Sequence, residues 1–398
     1  MRKLISTLSG REYPFGKPEE FAENGEPLEV RIDGTKNARI NTGKHLLRRF
    51  SSFLPFESID PELSMGEGAT PLLNATRYLR NFTGISNLLL KNETQNPTWS
   101  FKDRGSLTCM MMAKEMNEQV TATVSTGNMG NSMAAYGAAS GIKVLVFVPP
   151  HTSDEKIKAM GIHGATIFRV QTTDYAGMKK QILDMAADLN LRIVSGNNPI
   201  RVEGYKLTAF EMYEQMNGSV PDFIAVPTSA CGHVRGIFKG YRELKEAGYI
   251  DKLPRMIVVQ AANNSPVVTA LKQGSQEVVP FTDFHTVAEA ITTGNPTGGK
   301  EIIDKANRYS WLAEDVSEDQ ILHSQRRLAQ SGLFVEPASA TSLYAVKKLK
   351  NSGKIKDGAS VVIMLTGAGM KDLKALSHHT SNIVDCDLEN IREEIQKA

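Results

Sequence analysis

From about residue 85 onward, short apolar runs alternate with amphipathic or small-residue stretches. Residues 88–90, 120–124, 143–148 and 166–170 read as strands: each is short, and β-branched or aliphatic. Between them, residues 106–117 carry apolar side chains at helical spacing, 131–140 form a small-residue helix stopped by Gly141, 154–160 open another helix, and 176–189 a further one. The rhythm returns with strands at 223–226, 256–260 and 360–365. No internal repeat or low-complexity segment interrupts it. Alternation of this kind predicts an α/β protein with parallel sheets, and 398 residues is enough for two packed domains. In such sheets ligands gather beyond the carboxyl ends of the strands, next to helix N-termini. The loops that follow the strands are therefore the places to search.

Composition narrows the class without adding to the pattern. With 41% apolar and 23% charged residues the chain is ordinary for an enzyme. Its 46 basic and 44 acidic residues give a net charge of +2 and no basic tract, so a nucleic-acid partner is not expected. The greasiest segment, 144–148, is far short of the roughly 20 residues of a membrane span. The N-terminus lacks the apolar run of a signal peptide. Cys109, Cys231 and Cys386 are too few and too scattered for a disulfide framework or a zinc site. A reducing, cytoplasmic location is the expectation, with no membrane partner and no metal.

Four loops carry residues suited to chemistry. The first, N-P-T-W-S-F-K-D-R-G, runs from Asn96 to Gly105. A lysine at Lys102, set among Pro97, Trp99 and Phe101, would lose solvation, and the neutral amine needed for a Schiff base would be favoured. The same segment also reads as a simple helix start, with Ser100 as N-cap and Asp103 in the first turn. The second loop is Ser125, Thr126, Gly127 and Asn128, ahead of the small-residue helix. It suits a carboxylate held by backbone N–H groups, or is only a tight strand-to-helix turn. The third is Ser229, Ala230, Cys231, Gly232 and His233. Strand, small-residue loop and helix make a phosphate cradle there. The competing readings are a surface capping role for His233 and a buried, inert Cys231. The fourth, Thr366 to Asp372, places a hydroxyl and two glycines after the last strand, or is simply a turn. There is no H-E-x-x-H, no Walker sequence, no G-x-S-x-G and no early G-x-G-x-x-G.

Taken together these segments resemble fold-type II pyridoxal-phosphate enzymes, and the threonine synthase family in particular. The ordered match includes G-E-G-A-T-P-L at 66–72, N-P-T-W-S-F-K-D-R-G, S-T-G-N, N-P-I-R-V-E-G at 198–204, A-I-T-T-G-N-P at 290–296, E-P-A-S-A at 336–340 and T-G-A-G-M-K-D at 366–372. The resemblance implies a two-domain architecture, each domain a mostly parallel twisted sheet flanked by helices. Residues 46–105 and 196–398 would form the large cofactor domain and 106–195 a smaller one bearing the S-T-G-N loop. It implies pyridoxal 5'-phosphate linked to Lys102 as a Schiff base and contacted by Asn128 at O3′. Residues 229–233 would hold the cofactor phosphate and Thr366 would face the pyridine nitrogen. Ser125, Thr126 and Gly127 would take the substrate carboxylate, Arg201 would take a distal anion, and Asn198 would also bind the substrate. The implied reaction is γ-elimination of phosphate from O-phosphohomoserine followed by addition of water at Cβ, giving threonine. A homodimer is the default expectation.

This chain departs from the family pattern at identifiable places. Ser229, Ala230 and His233 stand where the phosphate loop usually has Gly, Asn and Asn. Met129 replaces a hydroxyl residue, and Ser195-Gly196 replaces Asn-Ser. The substrate pocket is thus more altered than the cofactor site. That leaves room for β-replacement on O-phosphoserine, as in cysteate synthase, or for a threonine or serine dehydratase. Retained Arg201 argues against a dehydratase, and intact Lys102, Asn128 and Thr366 argue against a catalytically silent binding protein. Residues 1–45 form an N-terminal arm resembling a zinc knuckle whose cysteine positions hold Ser6, Ser9, Phe21 and Asn24. With no thiolate left, zinc is not expected there.

Overall fold

A computed structural model describes residues 1–16, 20–172, 175–189, 191–282, 285–380 and 383–397. The arm is a small antiparallel sheet of β1 (Arg2–Ser6), β2 (Glu12–Pro14) and β3 (Leu28–Ile32), in the order β2-β1-β3. Its inner face, Leu4, Tyr13, Leu28 and Val30, packs on Met112 and Ile200 of the body. The hydroxyls of Ser6 and Ser9 both donate to the Glu26 carboxylate.

The chain then lays down β4 (Leu72–Asn74) and β5 (Asn87–Asn92). It leaves to build β6 (Val120–Val124), β7 (Lys143–Val148), β8 (Thr166–Arg169) and β9 (Arg192–Ile193). It returns with β10 (Phe223–Pro227), β11 (Arg255–Ala261), β12 (Leu312–Val316) and β13 (Ser360–Leu365). The result is an α/β fold with a four-stranded parallel sheet, β8-β7-β6-β9, beside a six-stranded sheet, β12-β11-β10-β13-β5-β4, in which only β4 runs antiparallel. Phe223–Pro227 is buried at all five positions, as expected of a parallel strand covered on both faces.

Five helices bear on the site: α1 (Lys102–Glu115), α2 (Asn128–Ser140), α3 (Pro199–Gln215), α4 (Gly232–Glu246) and α5 (Pro337–Asn351). Helix α2 ends at Gly141 in the left-handed region, as its sequence predicts. Helices α1 and α3 meet almost backbone to backbone: a Cβ at Gly204 would lie 2.0 Å from the Arg104 carbonyl oxygen. Behind them, buried cations are matched with carboxylates, Arg104 with Glu93 and Glu211, Lys91 with Glu211, and Lys206 and Lys239 with Glu203. Arg201 is different. Among the described residues it is the one fully buried arginine with no ion-pair partner.

Candidate active site

All four loops singled out above leave the carboxyl ends of parallel strands and meet in one place. The Phe101 amide donates to the Thr366 carbonyl at 3.0 Å, tying the loop after β5 to the loop after β13. The Phe101 ring stacks on His233, centroids 3.8 Å apart, which brings in the loop after β10. The Asn128 amide donates to a Glu336 carboxylate oxygen at 2.9 Å, closing the cleft from the side of the smaller sheet.

Lys102 is the first residue of α1, capped by Phe101 and not by Ser100, whose buried hydroxyl has no partner. Its Nζ sits 4.4 Å from the centroid of the Phe101 ring. Burial, reinforced by the Arg201 charge and opposed by Glu336, lowers its pKa from 10.5 to about 7. The expected shelter from Trp99 is not realised: that residue has φ +63° and turns its ring 56% to solvent. Phe101 does the shielding instead. Asp103 anchors the loop by accepting from the Thr98 amide at 2.6 Å and from Ser132 at 2.6 Å.

The loop of residues 229–233 has the geometry of an anion cradle. Cys231 is the N-cap of α4 with φ +77°, and the first helical bond runs from the Arg235 amide to its carbonyl. Among the described residues no protein acceptor meets the amides of residues 230–233. They are free donors at the positive end of a 15-residue helix. Gly232 is required there because a Cβ would come within 2.1 Å of the Gly196 carbonyl oxygen. Ser229 Oγ is held by Thr293 Oγ1 at 2.7 Å, and Ala230 faces Gly196. His233 is no surface cap: it is buried and stacked, and desolvation lowers its pKa to about 3, so the ring is neutral. Burial pushes the Cys231 thiol up to about 12, which leaves it no thiolate character near neutral pH.

On the opposite wall, Ser125 Oγ accepts from the Gly130 amide at 3.0 Å, which leaves its own proton for a ligand. The backbone N–H groups of Thr126, Asn128 and Met129 meet no protein acceptor among the described residues, and Gly127 borders open space. Met129 sulfur lies near Gly196, on the same side. Two residues quoted above only as part of a motif have definite partners. Glu336 takes the Asn128 amide, and its pKa is raised by burial. Ser339 Oγ accepts from the Thr366 and Gly367 amides at 2.9 and 3.0 Å and lies 2.8 Å from Thr366 Oγ1. With both lone pairs used, Ser339 has one proton to give, either to Thr366 Oγ1 or to the Gly367 carbonyl at 3.3 Å, so it cannot accept from Thr366, whose own proton points elsewhere.

Arg201 and Asn198 are placed differently from the other residues. Arg201 lies under the first turn of α1, its Nη1 3.5 Å from the Lys102 carbonyl oxygen and 3.4 Å from both Ser106 Oγ and Tyr205 Oη, while among the described residues Nε and Nη2 have no partner. Asn198 caps α3: its Oδ1 accepts from Ile200 and Arg201 amides, and its Nδ2 donates to Glu20 of the arm at 2.8 Å. Its polar atoms are therefore engaged within the protein. Among the described residues no group of three or more His, Cys, Asp or Glu side chains could hold a metal, and no helix is long and apolar enough to cross a membrane.

A half-buried amine of lowered pKa, a rank of free amides at a helix start and a neutral hydroxyl donor fit pyridoxal phosphate. They match its aldehyde, its phosphate and its ring nitrogen respectively. Residues 63–367 match the family model described as pyridoxal-phosphate dependent enzyme. The solved structure of the processed form of threonine deaminase isoform 2 from Solanum lycopersicum superposes with a TM-score of 0.64 at 18% identity, over 78% of this chain and 86% of that one. Such a likeness speaks to the fold: that of a pyridoxal-phosphate dependent enzyme. Closer in sequence are the threonine synthase of Methanocaldococcus jannaschii, 35% identical over 355 residues (88% of this chain, 86% of that protein), and that of Bacillus sp. (strain ULM1), 35% identical over 362 residues (89% and 98%). The chain belongs to the threonine synthase family of pyridoxal-phosphate dependent enzymes.

Proposed function

We propose that this enzyme converts O-phosphohomoserine and water into threonine and phosphate. The observation that carries the reading is Arg201: a buried guanidinium with two unpartnered nitrogens and no carboxylate, directly beneath the Lys102 segment. An unpaired buried charge is costly, and a substrate phosphate would compensate it. The two similar threonine synthases support the same assignment.

Pyridoxal phosphate, when bound, supplies an electron sink conjugated to the substrate's α-carbon. Lys102 would hold it, the amides of residues 230–233 its phosphate, Asn128 its O3′ and Thr366 its ring nitrogen. The Thr366 hydroxyl donates a hydrogen bond without transferring a full proton, which suits elimination and replacement more than transamination. Ser125, Thr126 and Gly127 would orient the substrate carboxylate. Lys102, near neutrality as acid and base, takes protons from Cα and Cβ and returns one to Cγ after the C–O bond to phosphate breaks. Water then adds its oxygen at Cβ and gives up a proton to solvent, and Lys102 returns the remaining proton to Cα. Residues 46–105 and 196–398 act as the cofactor domain and 106–195 as the smaller domain, in a cytoplasmic homodimer.

A second reading, β-replacement on O-phosphoserine, is favoured by the Asn198 side chain being engaged within the protein and by Met129 beside Gly196: the first withholds an amide from a distal phosphate and the second offers it no donor. Offering O-phosphohomoserine, O-phosphoserine with sulfite, threonine and serine separately, with phosphate and amino-acid analysis, decides between them. Phosphate and threonine from the first substrate alone support the proposal. Turnover of only one of the others overturns it.

A further inference from the structure

The loop of residues 195–198 lies between the phosphate cradle and the N-terminal arm, and the arm grips it twice. Glu20 is buried, 4% exposed. Its Oε1 accepts from the Ser195 amide at 2.5 Å and from Asn198 Nδ2 at 2.8 Å, while among the described residues Oε2 has no partner. The second grip runs through Arg235. Its Nη2 donates to the Leu28 carbonyl of β3 at 2.8 Å, and its Nη1 donates to Asn197 Oδ1 at 2.6 Å and to the Asn197 carbonyl at 3.1 Å. On its other side the same loop presses Gly196 against Gly232 and Ala230 of the cradle. It also leads directly into α3, whose third residue is Arg201.

We propose that the N-terminal arm is part of the substrate site, and that Glu20 is a positioning residue that sets the 195–198 loop and, through it, the distal-anion pocket. The inference rests on the reading that this loop and Arg201 receive the substrate's distal group. The arm does not touch the reacting atoms. It supplies an acceptor for two buried donors that would otherwise lack one, and such donors are expensive to leave unpaired. Bonds within the arm and to the body hold it in place for that purpose: Ser6 and Ser9 close on Glu26, and the carbonyls of Leu28 and Val30 accept from Arg235 and Lys239. The role depends on the hydrogen bonds more than on the charge, because the second carboxylate oxygen has no partner.

Two substitutions separate these contributions. Glu20→Gln keeps an acceptor at Oε1 and puts an amide where Oε2 had nothing; Glu20→Ala removes both bonds. In the holoenzyme, Glu20→Ala raises KM for the phosphorylated substrate about tenfold or more, the scale of losing a buried hydrogen-bond pair. Binding of serine, which has no distal anion, is unchanged. Hydrogen–deuterium exchange across residues 195–201 speeds up in the apo and holo forms alike. Glu20→Gln behaves as the unmodified enzyme in all three measurements. An unchanged KM and exchange rate in Glu20→Ala overturns the proposal. So does a Glu20→Gln as impaired as the alanine variant, or a parallel loss of serine binding. Should Glu20→Ala not fold, slow exchange at Ser195 in the unmodified enzyme, retained in Glu20→Gln, supports the proposal, and fast exchange there refutes it. If no phosphorylated substrate is turned over at all, the assignment of the reaction fails, while the exchange measurements still decide the role of the arm.

Discussion

A pH series on the apoenzyme reads the charge of Lys102 directly, because only its neutral amine attacks the cofactor aldehyde. Lowering the pKa from 10.5 to about 7 leaves half of the lysine neutral at pH 7. An ordinary lysine would be neutral in roughly one molecule in three thousand under the same conditions, so the difference is on the order of a thousandfold in reactive amine. The rate constant for recapture of pyridoxal phosphate, followed by growth of the visible band of the lysine-bound cofactor, should rise with pH through a midpoint near 7 and level off above it. The signs of the neighbours can be tested separately. Arg201 opposes the ammonium, so Arg201→Met moves the midpoint up. Glu336 favours it, so Glu336→Gln moves the midpoint down. Burial is the largest contribution, so neither variant restores the ordinary value. A midpoint near 10 in the unmodified protein, or the same direction of shift in both variants, refutes the account. Lys102→Ala should show no band.

Arg201→Met should lose turnover of the phosphorylated substrate yet unfold at the same temperature or higher, since a buried charge with no carboxylate is replaced by an apolar chain of similar length; a large fall in Tm would mean that the long Nη1 bonds to the Lys102 carbonyl, Ser106 and Tyr205 outweigh the cost of the unpaired charge. Gly232→Ala puts a methyl group 2.1 Å from the Gly196 carbonyl oxygen, an overpacking worth about 1–3 kcal/mol, and should weaken cofactor affinity in equilibrium dialysis. Ser339→Ala leaves the Thr366 and Gly367 amides without an acceptor and should cost about 1–3 kcal/mol in denaturant unfolding, with weaker cofactor retention.

Much of this molecule was determined by local pattern. The strands at Val120–Val124, Lys143–Val148 and Ser360–Leu365 coincide with their apolar runs, because a buried parallel strand has no other way to be written. Lys102, Asn128, the 229–233 loop and Thr366 could be singled out as candidates because each stands in a loop that follows a strand, inside a short specific motif, and the structure brings those loops together. Helix starts were less legible: α1 begins at Lys102 itself and α2 at Asn128, earlier than their apolar periodicity, since a first turn exposed to a ligand needs no apolar face. The arm's strands were not visible at all, because each has five residues or fewer, too short a run to show a clear alternation. Only the tertiary structure could decide the pairings. Asn128 meets Glu336 across 208 positions and Glu20 meets Ser195 across 175. Trp99 yields the shielding of Lys102 to Phe101, itself stacked on His233, and Arg201 is left without a counter-ion. The charge state of an amine depends on everything packed around it, and that neighbourhood is drawn from distant parts of the chain, where no local periodicity records it.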